Sequence, residues 1–184
     1  MGDFALETER LILRDWREDD WGPFFQHTNT SQVMRWLGGE LDSEGRSSQR
    51  ARVEGCASKH GHCFWLVERK SDGEVLGFCG LKRADAPAST ILGQFEIGWR
   101  FRQDVWGQGY AKEAAHAALA AGFLQFGAEE VFALTVIENE ASWGLMKRLG
   151  MLRREEFDYV DSRISAPFRD TIAFSIARSE WGNL

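Results

Sequence analysis

Trp106-Gly107-Gln108-Gly109-Tyr110-Ala111 is the stretch of this chain with the clearest capacity for chemistry. Two glycines in a short span let a backbone turn tightly and approach a ligand with no Cβ in the way. From there to Phe126, small and apolar side chains recur at helical spacing, so a helix starts at the bend. The first amides of a helix have no partner within it, and they sit at the positive end of its dipole. Bend and helix start together make an anion site suited to a diphosphate. A plain strand-to-helix turn has the same outline. Two better-known phosphate loops are excluded: no Gly-Lys-Ser/Thr follows the glycines, and no G-x-G-x-x-G follows a strand.

The flanking elements must hold this bend in place. Leu11-Ile12-Leu13 reads as a short strand. Glu18 to Trp36 has helical character, with Asp19 and Asp20 at its start and Phe24 and Phe25 inward. Thr30 or Ser31 caps a second short helix, which Gly38-Gly39 breaks. Ser43 to Lys59 reads as a polar surface helix with apolar points at Ala51, Val53 and Cys56. Phe64 to Arg69 alternates at the strand period, Ser71-Asp72-Gly73 turns the chain, and Val75 to Leu81 returns. With Phe95 to Phe101 these make an antiparallel meander. The helix Gly109 to Phe126 carries Ala111, Ala114, Ala115, Ala118, Leu119 and Gly122 on one side, so it can lie close to a sheet, and Gly127 suits its end. Val131 to Ile137 is a buried strand, Asn139 to Leu149 a helix closed by Gly150, and Phe157 to Tyr159 and Thr171 to Ile176 two last strands. Strand, helix, strand in the middle section implies a parallel crossover inside an otherwise antiparallel sheet. The expected class is mixed α/β, with residues 1–184 in one domain.

Composition narrows the function. The chain has 184 residues, 43% hydrophobic and 27% charged, as in ordinary globular proteins. A net charge of −6 argues against a general nucleic-acid binder, which needs a basic surface. Cys56, Cys63 and Cys79 match no disulfide framework and read as reduced thiols. Cys56, His60, His62 and Cys63 cluster without the paired spacing of a metal site, so no metal is expected. Met1 to Arg10 lacks the apolar run of a signal peptide. Gly2 does not meet the myristoylation pattern, because position 6 is Leu, and Ala114 to Phe126 is too short to span a bilayer. These features point to a cytoplasmic protein, monomer or homodimer, with no membrane partner.

Around the bend, Glu96-Ile97-Gly98-Trp99 followed by Trp106-Gly107-Gln108-Gly109-Tyr110-Ala111-Lys112-Glu113-Ala114 resembles the GNAT (GCN5-related N-acetyltransferase) superfamily. The likeness is to the branch of ribosomal-protein alanine acetyltransferases. The general Q/R-x-x-G-x-G/A pattern of the superfamily reads here Trp106-x-x-Gly109-x-Ala111. Thr8 to Arg14 resembles that branch's first strand, and Asn139-Glu140-Ala141-Ser142 with Lys147 to Met151 its second conserved block. The resemblance runs from about Thr8 to about Ile176 and is weakest from Gly39 to His62.

The resemblance implies a largely antiparallel twisted sheet, flanked by helices, whose central strands Phe95–Phe101 and Val131–Ile137 splay apart around acetyl-CoA. It implies that main-chain groups near Trp99 and Phe101 hold the pantetheine arm. The amides of Gln108, Gly109, Tyr110 and Ala111 would then hold the diphosphate, with Arg102 either neutralising phosphate or solvated at the surface. The reaction implied is direct attack of a neutral amine on the thioester. Glu96 is the candidate for taking the amine's proton, and it equally suits a structural ion pair. The Tyr that many members use to protonate the thiolate is Met146 here, and Ser142, one turn earlier, is the substitute. Asn139 fits a pantetheine contact, a helix N-cap, or both. Trp36, Trp65 and Trp99 suit either an acceptor pocket or the core. Three functions stay open: acetylation of a protein N-terminal α-amine, acetylation of a small amine, or binding of acyl-CoA without turnover.

Overall fold

The computed structural model describes residues 4–164 and 166–182. Gly2, which raised the question of myristoylation, lies outside them. The chain runs through β1 (Ala5–Glu7), β2 (Leu11–Arg14), α1 (Trp21–Thr28), α2 (Ser31–Met34), α3 (Ser43–His60), β3 (Phe64–Arg69), β4 (Val75–Arg83) and β5 (Phe95–Phe101). It continues through α4 (Tyr110–Leu124), β6 (Glu130–Val136), α5 (Glu140–Arg148), β7 (Leu152–Arg153), β8 (Tyr159–Val160), β9 (Asp170–Ala177) and α6 (Arg178–Trp181). Among the described residues the strands form one sheet in the order β1-β2-β3-β4-β5-β6-β9-β7, with β8 beside β9. Every pairing is antiparallel except β5 with β6.

The pleat divides the side chains between two layers. Cys79 and Leu81 of β4 and Ile97 and Phe101 of β5 are buried with Ala114, Ala115, Ala118 and Leu119 of α4. Phe78, from the opposite face of β4, packs with Trp21 and Phe24 of α1 and Val53 of α3. The small residues of α4 bring the helix down onto the sheet. At Gly122 an added Cβ would lie 2.8 Å from Leu81 Cδ1.

Local chemistry sets the ends of the elements. Asp42 Oδ1 accepts from the Gly45 amide and starts α3. Beyond α4, Gly127 takes φ 68° and the Ala128 amide reaches back to the Gly122 carbonyl at 2.9 Å, a glycine-terminated helix end. Two expectations need correction, and two strands went unread. Glu18–Asp20 forms a 3₁₀ turn ahead of α1, so the α-helix begins at Trp21. Phe157 belongs to a 3₁₀ turn, with the Asp158 amide bonded to Glu155 O, and the strand there is Tyr159–Val160. Two short strands, β1 and β7, escape a pattern reading because two or three residues hold too few periods to register. Among the described residues no helix is long and apolar enough to cross a membrane. No group of three or more His, Cys, Asp or Glu side chains there could hold a metal ion.

Gly122→Val forces two methyl groups into the α4–sheet contact. Unfolding in urea should show a lower midpoint with an unchanged slope, a loss of about 1–3 kcal/mol. An unchanged midpoint would contradict the close packing described.

Candidate active site

A cleft of about 700 Å³ opens between β5 and β6. It exists because the parallel pairing is short: Phe95 faces Val131, Glu96 faces Phe132 and Ile97 faces Ala133, and pairing stops there. Both strands run on, β5 to Phe101 and β6 to Val136. The Arg102 amide bonds to Leu76 O on the β4 side. Alternation along the strand then turns the N–H and C=O of Trp99 and Phe101 the other way, toward the gap. The Phe101 carbonyl is taken by the Trp106 indole at 2.9 Å, which leaves the Trp99 groups and the Phe101 amide facing open space.

At one end of the cleft sits the glycine bend. Gly107 and Gly109 have φ of 75° and 84°, in the left-handed region that a side chain would disfavour. Gly109 occupies the N-cap of α4, where no side chain caps the helix. Among the described residues, the backbone amides from Gly107 to Lys112 donate to no protein acceptor; the first amide of the helix to do so is Glu113, to Gly109 O. Gly107, Gln108 and Gly109 are exposed. This corner is therefore a row of free N–H groups at the positive end of a 15-residue helix.

The bend is held from behind by residues far away in sequence. Glu113 Oε1 accepts from Thr8 Oγ1 at 2.6 Å and from the Arg10 amide at 2.8 Å, and Oε2 accepts from Arg10 Nε at 2.7 Å. Arg10 also donates Nη1 to Gln108 O and lies 4.3 Å over the Tyr110 ring. The carbonyl of Gln108 is thus fixed away from the free amides. Thr8 and Arg10 were visible only as strand residues, because a contact across 103 positions leaves no local periodicity.

The structure brings Glu96, Trp99, Phe101, Gly109, Tyr110, Ala111, Asn139 and Ser142 to the cleft walls. It does not bring Arg102, whose guanidinium bridges Glu74 at 2.8 Å and Asp104 at 2.7 Å outside them. The Gln108 side chain also turns away, to Asp104 O at 2.9 Å, so only its amide joins the row. Trp36 and Trp99 line the cleft, whereas Trp65 is in the core. Lys112 and Arg148 line it too, and no described carboxylate lies within 4.0 Å of either. In a chain of net charge −6, such free cations beside free amides favour a polyanion locally.

Asn139 caps α5, its Oδ1 accepting from the Ser142 amide at 3.3 Å. Among the described residues the Ser142 hydroxyl makes no hydrogen bond, so it is available to a ligand. Met146, one turn on and 1% exposed, closes the wall behind it. Glu96 pairs with Lys82 Nζ at 3.1 Å, and Lys82 also reaches Asp85 at 2.6 Å. Burial pushes the Glu96 carboxyl above the ordinary range, and Lys82 offsets part of that rise. A buried carboxylate with a raised proton affinity is suited to accept a proton from an amine. Gly98, between Glu96 and Arg100, leaves room for the Phe64 ring, which an added Cβ would meet at 2.8 Å. A second, more open depression of about 750 Å³ lies between α1 and α3, away from the bend.

Comparison with known proteins shows the family and the fold. The family of acetyltransferase (GNAT) domains matches residues 10–152. An uncharacterized N-acetyltransferase of Bacillus subtilis (strain 168), YnaD, is 27% identical over 181 residues, covering 96% of this chain and 98% of that one. The FsC-acetyl coenzyme A-N(2)-transacetylase of Aspergillus fumigatus is 31% identical over 115 residues, 60% of this chain and 49% of that one. Among solved structures, an acetyltransferase from Agrobacterium tumefaciens str. C58 superposes with a TM-score of 0.80 at 20% identity, covering 97% and 96% of the two chains.

Two variants test whether Glu96 accepts a proton. Glu96→Gln should lower kcat/KM by about 10²-fold or more. Lys82→Met removes the cation that holds the Glu96 proton affinity down, so the acidic limb of the pH–rate profile should move to higher pH. A limb unmoved in Lys82→Met would remove Glu96 from the reaction.

Proposed function

Because the chain belongs to the GNAT family of acetyltransferases, we propose that it transfers acetyl from acetyl-CoA to a primary amine by direct attack. The observation that carries this reading is the row of unpaired amides from Gly107 to Lys112, set at the mouth of the gap between β5 and β6. Those amides would hold the diphosphate of the coenzyme. The free edge at Trp99 and Phe101 would pair with the amide groups of the pantetheine arm, as an added strand does. The bound coenzyme supplies an acetyl group already activated as a thioester.

The chain's own residues do the rest. Glu96 takes a proton from the entering amine, through water where the reach requires it. An α-amine, with a pKa of about 7.7–8.0, needs far less help than a lysine side chain at about 10.4. The Ser142 hydroxyl donates a hydrogen bond to the sulfur as it leaves, and Met146 keeps water off that wall. A polycationic acceptor is disfavoured. Besides Glu96, already paired with Lys82, the charged residues around the cleft are the cations Arg35, Arg100, Lys112 and Arg148.

Gly109→Glu places a carboxylate in the bend at a positive φ, and calorimetry on the folded variant should find acetyl-CoA binding lost. Ser142→Ala should lower kcat by about tenfold or more, with the dissociation constant for acetyl-CoA unchanged. Unaltered binding in the first variant would overturn the cofactor assignment. Unaltered turnover in the second would take Ser142 out of the reaction.

A further inference from the structure

Among the described residues lining the cleft, Arg100 is a deeply buried cation that no carboxylate pairs with. It is 5% exposed, and burial lowers its pKa to about 10, so at neutral pH it stays charged. Among the described residues no carboxylate lies within 4.0 Å of it, its Nε is buried with no partner, and its single hydrogen bond runs from Nη1 to Met34 Sδ. The guanidinium is otherwise held over the rings of Phe24 and Phe78, at 4.9 and 5.2 Å. An isolated buried charge is strongly unfavourable unless something pairs with it.

The place of Arg100 says what that something is. It lies on the same face of β5 as Glu96, four residues away and so about 13 Å along the strand, too far for the two to pair. That face looks toward α1 and α2, whereas Ile97 and Phe101, on the other face, pack against α4. Arg100 therefore does not belong to the row of amides at the start of α4. Its edge formed by Nε and Nη2 has no protein acceptor, and such an edge matches a carboxylate with two parallel N–H···O bonds. The aromatic surroundings suit one small, planar, singly charged group.

We infer that Arg100 reads the acceptor, which is a primary amine that also carries a carboxylate: the amine points to Glu96 and the carboxylate pairs with Arg100 inside the cleft. This inference rests on the acetyltransferase reading above. It makes Arg100 a specificity-determining residue rather than a part of the chemistry.

The experiment compares the whole protein with Arg100→Met, which keeps bulk and removes charge, and Arg100→Lys, which keeps charge and removes the fork. A panel of ω-amino acids and short peptides, whose amine and carboxylate stand far enough apart to reach both Glu96 and Arg100, is assayed by thiol release, each beside its own carboxamide, and acetyl-CoA affinity is measured by calorimetry. The parent should favour acids over carboxamides by about tenfold or more in kcat/KM. Arg100→Met should abolish that preference and Arg100→Lys retain part of it, with acetyl-CoA affinity within about twofold in all three. Ligand-free Arg100→Met should melt no lower than the parent, because it loses an uncompensated charge; a merely structural arginine would give the opposite. Equal use of acids and carboxamides by the parent, a preference that survives in Arg100→Met, or a loss of acetyl-CoA affinity there would each overturn the inference. Should acetyl-CoA bind without any amine being turned over, the transferase reading fails instead. The same panel is then scored by thermal shift with coenzyme A present. Stabilisation of the parent, but not of Arg100→Met, by the acids over their carboxamides sustains the carboxylate assignment, and no difference overturns it.

Discussion

The parallel contact between β5 and β6 ends at Ile97 and Ala133, and among the described residues no pairing rejoins the two edges beyond that point. A sheet that opens in its middle exposes backbone donors and acceptors that neither strand can satisfy alone. Trp106 covers one of them, the Phe101 carbonyl. The remainder stay available to a ligand that brings its own amide groups. The opening also sets the cleft between two different layers, with α4 and its amides on one side and α1 and α2 on the other.

Keeping such an opening rigid takes contacts made elsewhere. Glu113 and Arg10 tie the turn between β1 and β2 to the first turn of α4, so the bend keeps its shape while its amides stay free. Asn139 fixes the start of α5 and with it the Ser142 hydroxyl. Lys82 lies between Glu96 and Asp85, and Asp85 in turn meets Arg52 at 3.1 Å, so the Glu96 carboxylate is held by an ionic chain anchored on α3. Rigid scaffolding around unsatisfied groups is the usual arrangement at a binding site, because the stability lost at the site is recovered in the frame.

Local pattern made the frame legible and long-range contact did not. The glycine bend, the small-residue face of α4, the Asn139 cap and the alternation of β3 to β5 all lie within single elements, where period and composition speak directly. Arg102 and Arg100 show where that reading stops. Both sit beside aromatic residues near the end of β5. Only the fold shows Arg102 bound by Glu74 and Asp104, and Arg100 buried with no carboxylate partner among the described residues. The pleat does place Arg100 on the Glu96 side, but its isolation depends on what α1 and α2 bring above it. Phe157 read as a strand residue because aromatic side chains favour strands. Its ring instead packs edge-on against Phe132 at 5.1 Å from within a 3₁₀ turn.

The amides from Gly107 to Lys112 are the groups proposed to grip the coenzyme. Amide proton–nitrogen spectra of the labelled protein, titrated with coenzyme A, observe those groups one by one. Their proton resonances should move downfield as charge-assisted hydrogen bonds form, together with those of Trp99 and Phe101. Saturation of the protein by coenzyme A with the six amide resonances unmoved would contradict it.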